Sequence, residues 1–123
     1  MRALSVSGVR SRWELITTAD FYARLRPRHQ VDSEEEFRKI ADCPLLVLDD
    51  LGAAKDSEWT EEQNYRLINH RYENVMPTLI TSNLAPKDLA AGLGDRVASR
   101  LREMAHRVVV PGGDRRGGQE RAA

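Results

Sequence analysis

The chain has 123 residues, 41% of them apolar and 31% charged, enough for one soluble globular domain and little more. Its formal net charge is zero, which argues against bulk electrostatic attraction to a polyanion. Apolar runs reach about five residues, far short of the roughly 20 that span a membrane, so no membrane partner is expected.

The charge is unevenly spread: residues 1–31 carry +4, residues 32–62 carry −8, and residues 63–123 carry +4. A basic face is therefore open to the fold even though the total is neutral. The N-terminus has no sustained apolar core leading to a small-residue cleavage site, so no secretory leader is expected. Cys43 is the one cysteine, which leaves no internal disulfide and fits a reducing, cytoplasmic setting. It reads as a small, half-buried residue ahead of a strand.

Trp13-Glu14-Leu15-Ile16-Thr17 is β-prone, and Thr18 offers an N-cap for a helix from Ala19 to about Arg26, which Pro27 stops. Ser33-Glu34-Glu35-Glu36 has the capping-box pattern for a second helix with Phe37 and Ile40 on one side. The unbroken run Leu45-Leu46-Val47-Leu48 predicts a strand buried on both faces, as in a parallel α/β sheet. Helical character runs from about Ser57 to Asn74, with Trp59, Leu67, Ile68 and Tyr72 as core contacts. Thr78–Thr81 reads as a short strand. Pro86 suits a first helical turn, and Gly92 and Gly94 break that helix. Val97, Leu101 and Met104 form a stripe on a helix from Asp95 to Ala105. Arg107–Val110 reads as a last strand, and residues 111–123 as a polar, Gly-rich, disordered tail. Strand and helix alternate, so the fold class is α/β.

Three constellations carry chemistry. The buried strand ends in Asp49-Asp50-Leu51-Gly52, and carboxylates at the carboxyl end of a parallel strand lie where open α/β sheets bind ligands. Asp49 is an oxygen ligand for a hard cation such as Mg²⁺, and Asp50 would face a water attacking a phosphate. The second strand ends in Thr81-Ser82-Asn83. Asn83 either caps the turn toward Pro86 or positions that water by donating and accepting at once. On the Asp95 helix, Arg96 and Arg100 are four apart and share a face. They form either a solvated surface or a fork aimed at a neighbouring subunit's phosphate.

In this order and spacing the three segments resemble the DnaC-type helicase loaders and the related IstB-type transposition helpers, both AAA+ ATPases. The resemblance runs from about Trp13 to Val110. It implies a partial P-loop-type parallel sheet flanked by helices over residues 1–110, with ATP and Mg²⁺ as cofactors. Leu45–Gly52 looks like the Walker B strand, with Asp49 the Mg²⁺-associated acid and Asp50 the catalytic carboxylate. Asn83 takes the sensor 1 position, and Arg100 that of the arginine finger with Arg96 beside it. Partners implied are a replicative helicase or a transposase, neighbouring AAA+ subunits and single-stranded DNA. For the DNA, Phe21, Tyr22, Arg24, Arg26 and Arg28 offer stacking and phosphate contacts, with core packing an equal alternative for the two aromatics.

The phosphate-binding pattern Gly-x-x-x-x-Gly-Lys-Ser/Thr does not occur in these residues: none of Lys39, Lys55 and Lys87 follows a glycine. Met1–Gly8 looks like the end of the helix that would follow that loop, with Gly8 as its stop. The expectation is a truncated or mis-started reading frame, a non-catalytic partner lending Arg100 to an intact relative, or a decayed fragment. Without its first strand the sheet has an open edge along Thr78–Thr81.

Overall fold

A computed structural model describes residues 2–6, 9–53 and 57–104. Strands β1 (Arg2–Val6) and β2 (Val9–Thr17) lead into helices α1 (Thr18–Leu25) and α2 (Ser33–Ala41). Then come β3 (Leu45–Leu51), α3 (Glu58–Glu73), β4 (Thr78–Ser82), a 3-10 turn (Pro86–Asp88), α4 (Leu89–Leu93) and α5 (Asp95–Met104). The sheet order is β1-β2-β3-β4, with β2, β3 and β4 parallel and β1 antiparallel to β2. The expected strand Arg107–Val110 and the tail after it lie outside the described residues, as does the expected helix stop Gly8.

The first residues correct the sequence reading. Instead of a helix end, Arg2–Val6 is a strand paired with β2 from Arg2 opposite Trp13 to Val6 opposite Val9. β2 starts four residues ahead of its expected beginning at Trp13.

Two helix caps also shift by one residue. Thr17, rather than Thr18, caps α1, its side chain accepting from the Asp20 N–H at 3.1 Å. Thr18 is drawn instead toward β3, where its hydroxyl donates to the Asp50 carbonyl at 3.0 Å. Asp32 caps α2 by accepting from the N–H groups of Glu34 and Glu35, so Ser33 is already helical. An aspartate can reach both orphan donors, which a serine one residue later cannot do without moving the helix start. Ser57 and Thr60 form a reciprocal capping box at the head of α3.

The core lies on one face of the sheet. Leu46 and Leu48 are fully buried there, beneath Phe21 of α1, Ile40 of α2 and Leu67 and Ile68 of α3. Cys43 is buried rather than half-buried. The other face corrects the expectation of a strand covered on both sides. Leu15, Val47 and Leu79 stand in one row across β2, β3 and β4, with Leu15 46% and Leu79 58% exposed. At the far end, Gly92 lies within α4, and the helix stops at Gly94, whose φ of +93° only glycine adopts freely.

The residue that ties the layers together is Arg71, the largest fully buried side chain among the described residues. Its guanidinium donates to the Cys43 carbonyl, to the carbonyls of Ala41 at 2.9 Å and Pro77 at 2.5 Å, and to the Thr78 hydroxyl at 2.9 Å. Burial pushes its pKa below the usual guanidinium value, while Cys43 and Asp42 nearby favour the charge. Replacing Arg71 by Met would roughly keep the volume but take one donor from each of these acceptors, of which Pro77 keeps the Leu46 N–H. Arg71→Met is expected to cost about 3 kcal/mol in urea unfolding; a loss below about 1 kcal/mol would contradict the clamp.

On the surface Arg24 bridges Glu14 at 2.9 Å and Glu36 at 3.1 Å, and Lys39 reaches Glu36 at 3.3 Å. The hydrogen bonds from Arg24 and Lys39 hold the Glu36 carboxyl below its usual value. A lowered folded-state pKa adds stability above the ordinary glutamate value, lost as pH falls through the folded value. Glu36→Gln should therefore flatten the acid side of the stability–pH curve below the ordinary glutamate value and leave its neutral limb unchanged in slope.

Candidate nucleotide site at the strand ends

The carboxyl ends of β3 and β4 are knitted together by short polar side chains. Thr81 accepts from the Asp50 N–H at 2.9 Å and donates its own hydroxyl proton to the Asp49 carboxylate. Ser82 donates to the Leu51 carbonyl at 2.6 Å and accepts from the Leu84 N–H at 3.1 Å. Leu84 then packs over Gly52, so closely that a Cβ there would lie 2.6 Å from its Cδ1. Leu84 could give way to a Cβ, but the φ of +94° at Gly52 favours glycine at that turn.

The register between β3 and β4 slips between Leu48 and Leu51, and Asp50 sits in this irregularity with φ +62°. Two threonines hold its strained peptide: Thr81 takes the N–H and Thr18 donates to the carbonyl. Bulges and left-handed non-glycine residues that survive by being over-determined are a mark of functional sites.

Asp49 is partly exposed and Asp50 exposed, so water or a ligand reaches both. The Thr81 bond occupies one lone pair of Asp49 and leaves the rest of the carboxylate available. No group of three or more His, Cys, Asp or Glu gathers among the described residues. An acid pair of this kind suits Mg²⁺, which binds through one or two carboxylates and keeps waters or phosphate oxygens for the remainder of its shell.

The other expected site residues separate. Asn83 is exposed in the turn after β4, and the β4 residue that touches the acid pair is Thr81, two positions earlier. Its signal in the sequence was a hydroxyl at the end of an apolar strand, outweighed there by the amide of Asn83. Arg96 and Arg100 both lie against α3. Arg96 pairs with Glu62 at 2.8 Å over the Tyr65 ring, and Arg100 bonds Asn69 at 2.8 Å over the Tyr72 ring. The hydrogen bonds of Arg100 to Tyr65 and Glu103 outweigh the effect of desolvation, so its pKa lies above the usual guanidinium value.

The expected nucleic-acid set is corrected in part. Phe21 and Tyr22 are core residues, their rings tilted against each other at 5.7 Å, and Tyr22 donates to Asn64 at 2.9 Å. Neither ring is free to stack on a base. Arg24 is committed to two carboxylates, Arg26 lies 4.4 Å over Trp59, and Arg28 donates to the Ala23 carbonyl. Arg26 and Arg28 are exposed.

The strain at Asp50 is measurable. Asp50→Gly keeps both threonine bonds to the backbone and removes the left-handed penalty, offset by glycine's greater freedom when unfolded. A net gain of about 0.5 kcal/mol in thermal unfolding is expected, and a loss above about 1 kcal/mol would sink the strain argument.

No family model matches the chain. It is 26% identical over 91 residues to the replicative helicase loader DnaC of Escherichia coli (strain K12), covering 72% of this chain and 37% of that protein. It is 32% identical over 57 residues to the replicative helicase loader DnaI of Bacillus subtilis (strain 168), covering 46% of this chain and 18% of that protein. The chain thus spans well under half the length of these curated relatives. A solved DnaC helicase loader superposes with a TM-score of 0.67 at 32% identity, covering 81% of this chain and 60% of that one. A replication initiator DnaA bound to AMPPCP and single-stranded DNA shares the fold, with a TM-score of 0.64 at 24% identity over 75% of this chain and 29% of that one. In fold the chain matches part of the AAA+ domain of DnaC-type helicase loaders.

Proposed function

We propose that these residues belong to a helicase-loader ATPase acting in DNA replication and carry the hydrolysis side of its nucleotide site. The observation that supports this most is the Asp49–Thr81–Asp50 knot at the carboxyl ends of adjacent parallel strands. In this reading Asp49 would hold Mg²⁺ through its free lone pairs, the ion would supply charge stabilisation at a phosphate, and Asp50 would orient a water toward it. Thr81 fixes the two acids relative to each other. Asn83, in the following turn, would complete the sensor position. Exposed Arg26 and Arg28 are the groups on offer to a single-stranded DNA backbone.

The phosphate-cradling pattern is not among these residues, so the binding side of a nucleotide would have to come from elsewhere. A second reading, in which the chain acts on a neighbour, is favoured by the placement of Arg100. It is a guanidinium held by Asn69, Glu103 and the Tyr72 ring in the middle of the last described helix. The replicative helicase is the partner proposed in both readings. Nothing in the geometry favours a transposase.

The polypeptide alone is expected to bind ATP far more weakly than an intact loader, measured by equilibrium titration of a fluorescent ATP analogue. Affinity in the range of an intact loader would sink that expectation. Added to an intact DnaC-type loader and its helicase, the chain should change the rate of ATP turnover. An unchanged rate across an excess of the chain would count against the proposal.

A further inference from the structure

The seam between α3 and α5 treats its two arginines differently. Arg96 is 60% exposed and meets a single, half-exposed carboxylate, Glu62. Such a pair is weak and exchanges freely with water. Arg100 is 28% exposed and held from three directions. Its Nε donates to Asn69 Oδ1 at 2.8 Å, its Nη1 to Glu103 at 2.7 Å, and its guanidinium lies 4.7 Å over the Tyr72 ring. Asn69 and Tyr72 are three residues apart on α3, so one helix face supplies both an acceptor and a π surface. Tyr65, a turn earlier on α3, adds a further hydrogen bond to the same guanidinium.

We propose that Asn69 and Tyr72 are positioning residues that hold the Arg100 guanidinium ready for a phosphoryl group on a neighbouring subunit. This rests on the reading in which the chain acts on a neighbour. A loose arginine gives up its rotamer freedom when it engages an anion, and a pre-held one has already lost most of it. The difference is worth about tenfold in rate when the contact forms in the transition state. Glu103 is 51% exposed and gives way to a phosphate, a stronger anion, at little cost. Neither Asn69 nor Tyr72 touches the phosphoryl group itself.

The test uses the 123-residue chain with a DnaC-type loader whose own finger arginine has been replaced by alanine. Unaltered chain should restore ATP turnover, and Arg100→Ala should not. Asn69→Leu should lower kcat about tenfold with KM unchanged, because the lost contact acts in the transition state. Asn69→Asp, which keeps an acceptor oxygen, should retain most of the rate. Tyr72→Leu should fall in kcat like Asn69→Leu, and melting curves would confirm that each variant is folded. If Asn69→Leu and Tyr72→Leu both turn over like the unaltered chain while Arg100→Ala is inactive, the positioning proposal is overturned and the finger reading stands. If the unaltered chain restores nothing, or Arg100→Ala restores as well as it does, the trans-acting reading fails and takes the proposal with it.

Discussion

A single buried cation sets the geometry on which the strand ends depend. Arg71 reaches from α3 to the last carbonyl of α2, a carbonyl ahead of β3, and Pro77 and Thr78 at the entry to β4. None of its four acceptors is a carboxylate, so the arginine acts as a multiple donor rather than half of an ion pair. The Leu46 N–H donates to the Pro77 carbonyl that Arg71 also holds, which fixes how β3 and β4 start. From there the register runs Leu46 opposite Thr78, Val47 opposite Leu79 and Leu48 opposite Ile80. A slip of one residue would turn every side chain to the other face and carry Thr81 away from Asp49. The acid pair is therefore positioned from the opposite end of the strands.

At that far end, order is enforced by hydroxyls rather than by burial. Thr18, Thr81 and Ser82 each bond to backbone or carboxylate atoms of residues 49–51. Short side chains reach only neighbouring strands, so these bonds form only when β2, β3 and β4 are all in register. Thr18 completes the arrangement from α1, which explains why that helix is capped by the residue before it. Local capping preference lost there to a tertiary contact.

Much of this was legible in the sequence, and the exceptions have specific causes. The β3 run, the α3 span and the stripe Val97, Leu101 and Met104 follow from hydrophobic period and appear where expected. The acid pair at the end of β3 was readable because polar residues closing an apolar strand must face something. Arg71 was not readable: four turns into a helix of mixed charge, it looks like any solvated arginine. Only the fold shows that its neighbours are carbonyl groups. Thr81 was hidden by the more versatile Asn83 beside it, and the left-handed turn at Asp50 has no signature beyond the Gly two positions on. The first strand was missed because its partner, Val9–Arg12, was not recognised as an extension of β2. The double burial of β3 was inferred from an apolar run that shows composition but not which faces are covered.

The open row of Leu15, Val47 and Leu79 also shapes how the chain responds to temperature. Apolar area that is already wet when folded adds nothing to the heat-capacity change of unfolding. The dome of stability against temperature is then flatter than chain length alone implies. Stability therefore varies less steeply with temperature on either side of its maximum.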